Sequence, residues 1–90
     1  MPVRQATIAS AVGLHARPAA LFVAEATKHG IPVTIQVGAK SVDARSMLAV
    51  MTLGAKCGDV ATLSSDADGA EAALDALAAF LEVDHDAPQA

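Results

Sequence analysis

Hydrophobic and polar positions set out seven elements along the chain. Val3 to Ala9 alternates, with Val3, Gln5, Thr7 and Ala9 on one side and Arg4, Ala6 and Ile8 on the other, which predicts a half-buried strand. Ser10 to Gly13 connects it to a helix over Ala16 to His29. Ala19, Phe22, Val23, Ala26 and Gly30 carry helical spacing and are expected to face the core, with Glu25 and Lys28 on the polar side. His29-Gly30 supplies a helix stop. Ile31, Val33, Ile35 and Val37 alternate in a β-branched strand, and Gly38-Ala39 turns it into a second strand, Lys40 to Asp43. Ser46 to Leu53 predicts a short helix with Ser46 as its N-cap. Val50 and Leu53 fit its buried side, whereas Met47, Leu48 and Met51 cluster elsewhere and are expected to be exposed. Gly54, Lys56 and Gly58 mark a turn-rich link to a strand at Val60 to Ser64. Asp68 to Leu81 predicts the last helix, with Asp68 as cap, Glu71 three residues on, and a stripe of Ala70, Ala73, Leu74, Leu77, Phe80 and Leu81.

The order β-α-β-β-α-β-α places the chain in the α+β class. Strands with one face to cover, and helices able to cover it, predict an open-faced β-sandwich. Ninety residues suffice for one small core. A single domain is expected over residues 1–83, with a flexible polar tail over 84–90 in which His85 lies between two aspartates. With no Trp or Tyr the core is aliphatic, completed by Phe22 and Phe80. The net charge is −4 and the basic residues are scattered, which argues against nucleic acid. Cys57 is the only cysteine, so no intrachain disulfide forms. His15, His29, His85 and Cys57 lack metal-ligand spacing, so no metal is expected. No apolar run reaches membrane-spanning length and no leader pattern precedes Val3; no membrane insertion and a cytoplasmic location are expected.

Candidate chemistry concentrates at Gly13-Leu14-His15-Ala16-Arg17-Pro18, where a strand pattern gives way to a helix. Backbone N–H groups of Ala16 and Arg17 fall in the first turn, which offers them no acceptor within the helix. Pro18 has no N–H and suits that turn. Amides, the positive end of the helix dipole and the Arg17 guanidinium all favour an anion here. The helix end also disfavours protonation of His15, leaving a neutral nucleophilic imidazole near neutral pH. A phosphoryl-carrying histidine fits this chemistry. A histidine that merely caps the helix, beside a solvated arginine, fits it equally.

Two motifs break the tie. Gly13 to Ala19 is the first; Ser41-Val42-Asp43-Ala44-Arg45-Ser46-Met47-Leu48-Ala49-Val50-Met51-Thr52-Leu53, continued by Gly54 to Asp59, is the second. Together, and over nearly the whole chain, they resemble the HPr family of histidine-containing phosphocarriers of the bacterial phosphoenolpyruvate:sugar phosphotransferase system. The resemblance implies a four-stranded antiparallel sheet covered on one face by three helices. It implies that His15 takes a phosphoryl group on Nδ1 from enzyme I, charged by phosphoenolpyruvate, and passes it to an enzyme IIA for sugar uptake. The chain would then be a carrier without turnover of its own, and would need no cofactor. Arg17 would stabilise the phosphoryl group, Ala16 would offer its N–H, and Pro18 would fix the helix start. Ser46 matches a regulatory serine that an HPr kinase phosphorylates in many Gram-positive bacteria, which supports binding to a catabolite regulator. Met47, Leu48 and Met51 match an exposed docking patch, extended by Ala20 and Leu21 on the first helix. Two positions depart from many relatives: Val12 replaces a small polar residue, and Ala24 and Thr27 are neutral where basic residues are frequent. A regulatory module acting through the serine alone is the contrasting reading, and the His15–Arg17 pair argues against it. A nitrogen-branch carrier is a third, which the Ser46 region disfavours. A monomer is expected of a carrier that shows one small surface to successive partners.

Overall fold

The computed structural model of the chain describes residues 2–9, 13–14 and 16–83, the side chain of Ala16 excepted. His15, Val12, most of the Ser10–Gly13 connection and the tail 84–90 with His85 lie outside the described residues. The elements follow the expected order: β1 (Val3–Thr7), α1 (Ala16–Lys28), β2 (Thr34–Val37), β3 (Lys40–Asp43), α2 (Met47–Thr52), β4 (Val60–Ser64) and α3 (Ala70–Leu81). The four strands form one antiparallel sheet in the order β1-β4-β2-β3.

The pairing register explains how one face came to be covered. Directly opposed residues share a face of a sheet. Arg4, Leu63, Ile35 and Val42 stand in one row across the sheet, and Ala6, Ala61, Val37 and Lys40 in the next. Their central members are apolar, and the three helices lie over them. On the opposite face the rows are Val3, Ser64, Thr34 and Asp43, then Gln5, Thr62, Gln36 and Ser41. Alternation along each strand therefore separates the two faces, as a one-sided sheet requires. The covered rows end in charges at the sheet edges, and both are fastened to helices. Arg4 Nε donates to Asp75 Oδ1 on α3 at 2.6 Å, and Lys40 Nζ donates to the Thr52 carbonyl at the end of α2 at 2.9 Å.

The core is aliphatic. Phe22, Ile8, Ile35, Leu63, Leu74, Leu77 and Val50 are its largest fully buried side chains. Phe80 is only half-buried and meets Phe22 in a tilted ring contact with centroids 6.3 Å apart. The β2–β3 turn is closed by Gly38 at φ +62° followed by Ala39, which has no positive φ, the sign pattern of a type II′ hairpin.

Four expectations are corrected. Gly30 does not face the core: it is exposed past the end of α1, where its N–H donates to the Thr27 carbonyl at 3.1 Å and ends the helix. Asp68 does not cap α3; Gly69, in the left-handed region, occupies the N-cap with no side-chain hydrogen bond, which leaves Asp68 in the preceding turn. Ile31 precedes its strand, which begins only at Thr34. Pro32 intervenes and cannot donate to a ladder, and its carbonyl instead accepts from Ser65 Oγ at 2.6 Å. Met47 is half-buried against the core, because the first turn of α2 lies over it.

Candidate phosphoryl-acceptor site

Helix α1 begins at Ala16, so it opens directly after His15. Ala16 and Arg17 fall in the first turn, where backbone N–H groups point out of the helix along its axis. Arg17 is exposed, and Pro18 is buried at the position where its missing N–H costs no helical hydrogen bond. No acidic residue lies in this first turn to offset the positive end of the dipole.

The approach to the helix is fixed from the other side. Gly13 has φ +69°, and a Cβ there would collide with the Ala55 carbonyl oxygen and lie 2.9 Å from Lys56 Cα. Only glycine meets both demands. The next N–H, that of Leu14, donates to the same Ala55 carbonyl at 3.1 Å, and the Leu14 side chain is buried. The link between α2 and β4 thus backs the residues that precede His15. That link is itself closed by Asp59. Its carboxylate accepts the Lys56 N–H at 2.9 Å, and its N–H donates to the Lys56 carbonyl at 3.0 Å. Sequence reasoning assigned Ala55 and Asp59 no role. A signal for Asp59 exists in Gly58-Asp59, since aspartate beside glycine closes turns through its own side chain. None exists for Ala55, which acts through its carbonyl.

Ser46 is the N-cap of α2, its Oγ accepting the Ala49 N–H at 3.3 Å. Leu48 is 76% exposed and Met51 40%, as expected of both side chains. Ala20 is exposed and Leu21 half-buried on α1, which packs against α2. Met47, expected to be exposed, is half-buried. Ala24 and Thr27 are exposed further along α1.

The family model described as "PTS HPr component phosphorylation site" matches residues 3–83 of the chain. A phosphocarrier protein HPr of Streptomyces coelicolor is 53% identical over 79 residues, which cover 87% of this chain and 85% of that protein. An HPr-like protein Crh of Halalkalibacterium halodurans is 37% identical over 82 residues, covering 91% of this chain and 98% of the relative. Among solved structures, an HPr of Thermoanaerobacter tengcongensis superimposes with a TM-score of 0.84 at 39% identity, over 91% of this chain and 92% of that one.

Proposed function

The chain belongs to the HPr family of phosphocarrier proteins, and on that premise we propose that it relays phosphoryl groups through His15 in the phosphoenolpyruvate-dependent sugar phosphotransferase system. Enzyme I is the donor and an enzyme IIA the acceptor. In the first step the lone pair of a neutral imidazole Nδ1 forms an N–P bond as the bond from phosphorus to enzyme I breaks. In the second, the N–P bond breaks towards enzyme IIA and the imidazole is restored. The observation that carries this reading is the start of α1 at Ala16, directly after His15, with Arg17 in its first turn. First-turn amides and a guanidinium suit a phosphoryl group held there, and the guanidinium can take two of its oxygens at once. Leu48 and Met51, with Ala20 and Leu21, give the partners an apolar surface, and methionine adapts to more than one. The chain supplies no turnover of its own, and the cytoplasm is its proposed compartment.

Ser46 is the second proposed modification site, for an HPr kinase whose product a catabolite regulator recognises. Its hydroxyl stands at the end of α2, and a phosphate added there brings charge beside Leu48 and the rest of the docking surface.

The test is intact mass after incubation with phosphoenolpyruvate and enzyme I from a close relative, beside a His15→Ala control. The expected outcome is one added phosphoryl group, acid-labile and absent from the control, with the fold of the control intact. No addition, or equal addition to the control, overturns the assignment of His15.

A further inference from the structure

We propose that Asp59 is a positioning residue for phosphoryl transfer at His15, acting through the Ala55–Asp59 turn. The inference rests on the carrier reading above and adds to it a residue outside the phosphoryl-binding turn.

The argument is a chain of backbone contacts with one side chain at its root. The Asp59 carboxylate accepts the Lys56 N–H through Oδ2 at 2.9 Å, and the Asp59 N–H closes the same turn on the Lys56 carbonyl at 3.0 Å. Two further bonds fasten this turn to the end of β1: Gly58 N–H donates to the Ile8 carbonyl at 2.8 Å, and Ile8 N–H donates to the Asp59 carbonyl at 2.9 Å. The turn is thereby rigid at its β4 end. At its other end the Ala55 carbonyl receives the Leu14 N–H at 3.1 Å, and Gly13 lies against Ala55 and Lys56 with no room for a side chain. Residues 13 and 14 immediately precede His15. Their backbone is hydrogen-bonded to the Ala55 carbonyl, and the same peptide group carries the Lys56 N–H that Asp59 holds. A reacting nitrogen displaced by about an ångström loses much of its rate, so control of this backbone is control of the transfer step. Docking is separate, because Leu48 and Met51 lie on α2 and make no use of the carboxylate.

Asp59→Ala and Asp59→Asn in the full chain separate the possibilities. For Asp59→Ala we expect kcat for acceptance from enzyme I to fall about tenfold at unchanged KM, with a displaced Leu14 amide resonance in the 1H–15N spectrum. Asp59→Asn keeps an acceptor oxygen without the charge and restores both. Asp59→Glu, which keeps the charge and moves the acceptor, serves with the same expectations as the alanine variant where that one does not fold. An alanine variant that loses thermal stability alone, with wild-type kcat and an unmoved Leu14 amide, overturns the proposal. So does an asparagine variant as impaired as alanine, since that assigns the effect to charge. Failure of the wild-type chain to accept any phosphoryl group overturns the carrier reading instead, and the Leu14 amide then decides whether Asp59 sets the loop.

Discussion

Helices α2 and α3 pack on the same side of the sheet and are held in opposite ways. Helix α3 is held by its side. Ala70, Ala73, Leu74, Leu77 and Leu81 are all buried, while its N-cap is a glycine without a side-chain hydrogen bond. Helix α2 is held by its ends. Of its six residues only Val50 is buried, whereas Ser46 closes its N-terminus and Lys40 reaches across to its last carbonyl. A helix this short has no stability of its own. A cap at one end and a cation at the other supply what a broad apolar face otherwise supplies. The side of α2 is thereby released from the core and can carry exposed Leu48 and Met51.

Breaking the side-held helix has the largest expected effect. Leu74 is fully buried, and Leu74→Ala should cost about 3 kcal/mol by removing buried surface and leaving a cavity, read as a lower urea midpoint. Phosphoryl acceptance per folded molecule should stay near wild type. A loss below about 1 kcal/mol contradicts the side-held account. Ser46→Ala addresses the end-held helix, and should cost about 1 kcal/mol through the lost cap. Its mark is faster amide exchange in α2 with α3 unaffected, so equal change in both helices removes the distinction. The smallest effect on stability belongs to Leu48→Ala, within about 0.5 kcal/mol for an exposed position. The same variant should raise KM towards enzyme I several-fold, and an unchanged KM places docking elsewhere.

The same contrast shows which parts of the molecule were legible in the sequence. The α3 stripe and the Thr34–Asp43 hairpin were, because a helix held by its side and a strand with one buried face both write periodicity into the chain. The α2 cap at Ser46 was legible, since capping is a local matter between Ser46 and Ala49. Met47 was misplaced because spacing on so short a helix does not decide which flank meets the core. Asp68 failed as a cap because Gly69 took the N-cap position, a choice between neighbours that their residue types leave open. The site divides in the same manner. His15, Arg17 and Pro18 were proposed from local chemistry and a family motif. The support under Gly13 and Leu14 was not, because it joins residues about forty apart in sequence through a backbone carbonyl that any residue possesses.

Release of its flank from the core gives α2 a kinetic consequence. Leu48 and Met51 form one small outward corner on α2, while the row Gln5, Thr62, Gln36 and Ser41 on the far side of the sheet is polar. On the docking reading proposed above, donor and acceptor take turns at this corner. Traffic through such a relay is governed by how promptly each complex comes apart, because a partner that lingers blocks the next. Two exposed apolar side chains on one turn of helix are, on that reading, a contact small enough to release each partner.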